Sequence, residues 1–232
     1  MSDSPRVYLV DVEGTVAPIA LVYEVMFPYA RRHLSGFLAG HGWEPEVAAD
    51  LELLWQENRT DGDAPLMIGA TDLPGAGDYL LWLMDQDRKS TALKAIQGRV
   101  WKAGFECGEL RGEVFDDVPG ALERWSRAGR VAIYSSGSVG AQKLLFQYSS
   151  AGDLTRWIAA HFDTRVGAKR ERVSYERIAR ELGVKPAEMV FYSDVVAELD
   201  AAAAAGCGTR LVVRPGNGAV LECHGHGVVT EL

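Results

Sequence analysis

Four strand-forming residues, Val7-Tyr8-Leu9-Val10, run without a polar break into Asp11-Val12-Glu13-Gly14-Thr15. A continuous apolar run of this kind suits a strand buried on both faces of a parallel sheet, with helices covering each side. Residues at the carboxyl ends of such strands project into the crevice where open α/β sheets bind ligands, and Asp11 falls at that end. A carboxylate there can attack phosphorus and form an acyl phosphate, dividing one hard displacement into two easier ones. Glu13 is spaced for the second carboxyl this chemistry needs, protonating the leaving oxygen and then activating water. Gly14 is expected to let backbone N–H groups close on a phosphate that a β-carbon would obstruct, and Thr15 to hydrogen-bond locally. Taken alone, the segment also suits a plain turn with solvated acids.

The remainder of the chain extends the α/β reading. After Thr15 the strand pattern stops, and Leu21 to Leu38, Glu46 to Glu57, Tyr79 to Asp87 and Thr91 to Cys107 carry apolar residues at helical intervals. Breaks are expected at Gly40-His41-Gly42, Thr60-Asp61-Gly62-Asp63 and Pro74-Gly75-Ala76-Gly77. Trp55, Trp82, Met84 and Trp101 read as core of this helical insert. From Asp116 onward strand and helix alternate: helix Pro119 to Ala128, strand Val131 to Tyr134, helix Ala141 to Tyr148, helix Ser174 to Leu182, strand Met189 to Tyr192, helix Ala197 to Ala205 and strand Arg210 to Val213. Such alternation predicts a doubly wound parallel sheet, a Rossmann-like α/β core. Residues 1–17 and 115–232 are expected to form it, with 18–114 as a helical cap inserted after the first strand.

Composition narrows the partners. With 232 residues, 47% of them hydrophobic, the chain can bury a full core. The absence of a run approaching roughly 20 apolar residues predicts no membrane partner, and the lack of a basic-then-apolar opening predicts a cytoplasmic protein. A formal net charge of −8 disfavours nucleic acid, so an anionic substrate would need a metal ion and one or two placed basic groups. Cys107, Cys207 and Cys223 form no Cys-x-x-Cys pair, which argues against a disulfide framework or a zinc site.

Phosphoryl transfer also needs phosphate donors, a cation and a second metal ligand. Val131 to Tyr134 runs into Ser135-Ser136-Gly137-Ser138, a phosphate cradle ahead of a helix. A serine hydrolase elbow would need Gly two places before its nucleophile, and Ser138 has Ser136 there. Lys169 sits in a polar segment before a helix, where a lone lysine is ordinarily a solvated charge. The apolar run Met189 to Ser193 ends in Asp194, which with Asp11 could hold Mg²⁺. His224 and His226, lacking a third ligand, read as a mobile surface tail.

Asp11, Ser135, Lys169 and Asp194 in this order resemble the motifs of the haloacid dehalogenase-like superfamily. Glu13 in place of the usual second Asp, Met26-Phe27-Pro28-Tyr29-Ala30, Asp87-Arg88-Lys89-Ser90-Thr91, Gln97-Gly98, Trp101, Tyr134 to Val139, Ala141 to Phe146, His161-Phe162-Asp163-Thr164 and Val213-Arg214-Pro215-Gly216-Asn217 are similar to the enolase-phosphatases, or acireductone synthases. This resemblance spans nearly the whole chain. It implies a monomeric methionine-salvage enzyme that uses Mg²⁺ to enolise 2,3-diketo-5-methylthiopentyl 1-phosphate, a small phosphorylated diketone, and then removes the phosphate to give acireductone. By position it implies Asp11, Glu13 and Asp194 at the metal site, Ser135, Ser136 and Lys169 as substrate contacts, and Asp11, Glu13 and Lys169 in catalysis. The alternatives are another Mg²⁺-dependent phosphomonoesterase or phosphonatase on the same scaffold, or a silent binding protein. Val16-Ala17 and Val195-Val196 depart from the family in placing apolar groups beside the site.

Overall fold

The computed structural model describes residues 5–218 and 225–232, which fall into two compact units, one of residues 5–23, 111–218 and 225–232 and one of 24–110. The first is an α/β unit. Its six-stranded sheet contains β1 (Val7–Val10), β2 (Arg130–Tyr134), β3 (Ile158–Phe162), β4 (Met189–Ser193), β5 (Gly208–Val212) and β6 (Gly227–Val229). All pairings are parallel and the strands lie in the order β3-β2-β1-β4-β5-β6. The order reverses between β1 and β4, the switch point where connections leave in opposite directions and a crevice opens at the strand ends.

Pleating sends alternate residues of each strand to opposite faces. On one face Val7, Leu9, Ala132, Tyr134 and Phe191 pack with Tyr175 and Ile178 of α7 (Arg172–Glu181) and with Leu199 and Ala202 of α8 (Val196–Ala204). Tyr8 and Tyr192 belong to the alternate set, and both rings meet Trp125 of α5 (Val118–Ala128), with centroids 5.0 and 4.7 Å away. These contacts cover β1 completely, as its apolar run requires. The helix α6 (Val139–Gln147) starts at Ser138, whose Oγ accepts from Ala141 N at 3.3 Å.

The second unit is helical. A π-helical turn at Leu21–Met26 leads into α1 (Phe27–His41), followed by α2 (Pro45–Asn58), α3 (Leu73–Asp85) and α4 (Thr91–Glu106). Leu34, Leu38, Leu51, Leu54, Leu80 and Ile96 are fully enclosed. Among the four predicted core residues only Trp101 is buried, its Nε1 donating to Met26 O at 2.8 Å. Trp55, Trp82 and Met84 are half-buried, and the guanidinium groups of Arg59 and Arg88 lie over the two indoles. Apolar stacking under a cation explains why these rings need no full enclosure.

Three further expectations are corrected. Pro74-Gly75-Ala76-Gly77 is no break but the first turns of α3, because proline tolerates an N-terminal position and Asp72 caps the helix by accepting from Gly75 N. A strand unmarked in the sequence, β3, forms one edge of the sheet. At the other edge β6 follows directly on the expected mobile tail, and His226 of that tail, its side chain 5% exposed, is held in place: it bonds Thr209 Oγ1 at 2.8 Å and Asp200 Oδ1 at 3.0 Å. His224 and Cys223 lie outside the described residues. No helix among the described residues is long and apolar enough to cross a membrane.

Candidate active site

Asp11 leaves the end of β1, 2% exposed, its N–H donating to Tyr192 O at 2.9 Å and so continuing the β1 to β4 ladder by one residue. Its Oδ1 lies 2.6 Å from Lys169 Nζ, which is also 2.7 Å from Glu198 Oε2. Lys169, expected as a substrate contact and in catalysis, is therefore a buried ion-pair centre and not a solvated surface charge, 8% exposed. The segment before α7 is held so that Lys169 turns inward: Tyr134 Oη donates to Gly167 O, Ser174 Oγ to Ala168 O, and Tyr175 Oη to Lys169 O. Gly167 adopts a φ of 142°, and a side chain there would run into Ser174.

Residues 12–17 form a tight turn. Val12 O accepts from the N–H groups of Thr15, Val16 and Ala17, and Gly14 N–H donates to Ala17 O at 2.8 Å. The expectation that Gly14 frees N–H groups for phosphate is thus corrected. What the glycine permits is its left-handed φ of 70° and the close approach of Asp194, whose Oδ2 occupies the space a Cβ would fill. Glu13 O has no hydrogen-bond partner among the described residues, whereas the carbonyls of Gly14, Thr15, Val16 and Ala17 each accept one.

The side chain of Glu13 points to the end of β2, where Ser135 Oγ donates to its Oε2 at 3.0 Å and accepts from Gly137 N. Ser135 is buried; Ser136 is exposed and contacts none of these acids. Asp194 follows β4. The residue before it, Ser193, lies with its Oγ 3.3 Å from Asp11 Oδ2 and 3.0 Å from Glu198 Oε2, and its single proton can serve only one of them at a time. Glu198 and Ser193 were not singled out from sequence. The available signal was an acid four residues past Asp194, in the first turn of an alanine-rich helix whose other acid is Asp200.

Four carboxylates, Asp11, Glu13, Asp194 and Glu198, thus surround one ammonium. Burial, and next the charge of Asp11, raises the pKa of Glu13 and of Glu198, and pushes Asp194 up to about 7. Burial works against the charge of Lys169, but Asp11 and Glu198 overcome it and hold its pKa above the ordinary lysine range. The excess of negative charge in a dry crevice calls for a cation. No three Asp, Glu, His or Cys side chains among the described residues form a ready-made cage. That suits Mg²⁺, which takes one or two carboxylates and completes its octahedron with water and substrate oxygens. The fit would use the carboxylates of Asp11 and Asp194 and the unpartnered carbonyl of Glu13. A separate cavity of about 400 Å³, lined by Lys143, Thr155 and His161 among others, holds none of these acids, so chemistry rather than cavity size locates the site.

Residues 5–206 match the haloacid dehalogenase-like hydrolases. The enolase-phosphatase E1 of Synechococcus elongatus is 52% identical over 214 residues, covering 91% of this chain and 90% of its own. That of Danio rerio is 42% identical, with 93% and 87% covered. Among solved structures, the UTR4 protein of Saccharomyces cerevisiae superposes with a TM-score of 0.83 at 34% identity, covering 99% of each chain. With Asp11 ending β1, Lys169 paired to it, and relatives matched along nearly their full lengths, the chain belongs to the enolase-phosphatases of the haloacid dehalogenase-like hydrolase family.

Proposed function

We propose that this protein is the bifunctional enolase-phosphatase of methionine salvage, enolising 2,3-diketo-5-methylthiopentyl 1-phosphate and then releasing phosphate to leave acireductone, with Mg²⁺ as its metal. The carrying observation is the buried Asp11 at the sheet's switch point, 2.6 Å from Lys169. Bound at Asp11, Asp194 and Glu13 O, Mg²⁺ would neutralise phosphate charge and polarise a substrate oxygen.

The remaining steps belong to the chain's own residues. Lys169 offsets negative charge on Asp11 and on the bound phosphate while keeping the Asp11 carboxylate oriented. One Asp11 oxygen attacks phosphorus; the bond from phosphorus to the substrate oxygen breaks, and its electron pair stays on that oxygen, which takes a proton from Glu13. Burial, and next the charge of Asp11, raises the pKa of Glu13, the direction that a proton-donating carboxyl requires. In the second half Glu13, now a carboxylate, accepts a proton from the water that attacks the acyl phosphate, freeing phosphate and Asp11. Ser135, bonded to Glu13, keeps that carboxyl aimed across the crevice.

An assay that follows the enol and phosphate together tests the reading. Acireductone and phosphate should appear in equal amounts from the diketone phosphate, and Asp11→Asn should release none while remaining folded. Phosphate release from sugar phosphates with no enol formed from the diketone would make the protein a simple phosphomonoesterase.

A further inference from the structure

The segment Arg214-Pro215-Gly216-Asn217, conspicuous in the sequence yet unused by the chemistry above, lies against the back of the nucleophile loop. Asn217 Nδ2 donates to Gly14 O at 2.9 Å, and Arg214 Nε donates to Thr15 O at 3.1 Å. These are two consecutive peptide carbonyls in the turn that carries Glu13 O and sits beneath Asp194. The guanidinium is itself fixed on every side: Nη1 donates to Thr230 O, Nη2 to Asp117 Oδ2, and its plane lies 4.5 Å from the centroid of Phe115. Asp117 Oδ2 also accepts from Leu232 N. Phe115 N–H in turn donates to Val16 O, the next carbonyl of the same loop.

We propose that Arg214 and Asn217 are positioning residues for phosphoryl transfer. They grip the Gly14 and Thr15 peptides so that the loop presents Asp11 and Glu13 in one geometry, and Thr230–Leu232 complete the grip. The inference rests on the proposed phosphatase chemistry for its kinetic consequence, and on geometry alone for the brace. The side-chain types are specific to the task. Only a planar fork meets Thr15 O, Thr230 O and Asp117 at once, so lysine, a point charge, cannot replace Arg214. Asn217 is held by its own turn, its N–H donating to Arg214 O while Gly216 takes a φ of 88°, so its amide reaches Gly14 O without a flexible stem. Neither side chain hydrogen-bonds or ion-pairs with Asp11, Glu13, Asp194 or Glu198, so neither acts on the reaction through them directly. Their effect must come through the loop's orientation.

The test uses the full chain with Asn217→Ala, Arg214→Lys and deletion of residues 230–232, each checked for folding by its thermal transition. Phosphate release from the diketone phosphate should lose about 10- to 100-fold in kcat, the scale of a misplaced reacting group, while KM and inhibition by inorganic phosphate move less than about threefold. Amide hydrogen exchange at Gly14 and Thr15 should accelerate about tenfold or more as local opening becomes easier, with the amides of α7 unchanged. Folded variants with wild-type kcat overturn the proposal, as does a kcat loss that vanishes once corrected for the folded fraction. If the wild-type protein releases no phosphate, the functional reading has failed while the brace is still judged: unchanged exchange at Gly14 and Thr15 in Asn217→Ala and in the deletion refutes it.

Discussion

Replacing Asp194 by asparagine should make the metal-free protein more stable at neutral pH, although it removes a residue of the proposed metal site. Burial first and the Asp11 charge second carry this carboxyl from its ordinary 3.8 up to about 7. A carboxyl whose pKa is raised on folding binds more protons in the native than in the unfolded state between those two values, so its ionisation lowers stability as pH rises through that window. The penalty is fully present above about pH 7 and gone below about 3.8. At about 1.4 kcal/mol per pH unit the interval corresponds to about 4 kcal/mol, and solvent at this half-buried group reduces that to about 2 kcal/mol. Asparagine keeps the shape and removes the charge. For a chain of this size about 2 kcal/mol amounts to roughly 4 to 8 °C in the melting temperature. Calorimetry on chelator-treated protein at pH 7.5 should therefore show Asp194→Asn melting above wild type, with the gap closing towards pH 4. Adding Mg²⁺ should raise wild type much more than the variant at pH 7.5, and wild type itself less at pH 5, where protons compete for the carboxylate. A metal-free Asn variant that melts at or below wild type at pH 7.5 would refute the account of Asp194 as a repelled, desolvated acid.

Lys169→Met should slow phosphate release by about 100- to 1,000-fold, the scale of one preorganised charge in a dry site; a change within about twofold would show that the buried ammonium takes no part in the reaction. Glu13→Gln should slow phosphate release strongly and separate the half-reactions. Accumulation of the phosphorylated enol would confine Glu13 to the second step, and loss of solvent-deuterium exchange at the substrate's C1, read by NMR, would assign it the enolising proton as well. Thr15→Val should leave the melting temperature unchanged or raise it, because Thr15 Oγ1 is buried without a hydrogen-bond partner among the described residues. A loss above about 1 kcal/mol in urea unfolding would show that this hydroxyl is satisfied after all.

The parts of the molecule that were legible in sequence are those where one local signal outweighs everything else. Strand β1 is buried on both faces and apolar throughout, β4 is buried on one face, half-buried on the other and apolar up to Tyr192-Ser193, and Asp11 and Asp194 follow them. Strand β3 escaped because Ile158-Ala159-Ala160-His161-Phe162 pairs on one side only, is partly exposed and includes two alanines, poor strand formers. Strand β6 has three residues and exists through its pairing with β5, which no local pattern encodes. In α3 the glycines looked like punctuation; Gly77 instead lies 3.9 Å, measured from an ideal Cβ, from Ser35 of α1. Glu198 and Asn217 reach the site through tertiary folding across long stretches of chain, and an acid in a helix or an amide after a Pro-Gly turn carries no local mark of such a role.

The place of β1 between β2 and β4 has a consequence for synthesis on the ribosome. Val7 is made well before Arg130 and Met189, the residues it pairs with. At roughly 5 to 20 residues per second, the apolar Val-Tyr-Leu-Val segment waits several seconds for its first partner and longer for its second. The helices of residues 24–110, whose mutual contacts are contiguous in sequence, can form during that wait. Unpaired, β1 is an apolar strand with two open edges, the kind of segment that recruits chaperones or other nascent chains. The strand that ends at Asp11 is therefore especially exposed to misassembly before the chain is finished. Substitutions that slow β2 or β4 should reduce yield in the cell before they alter the finished enzyme.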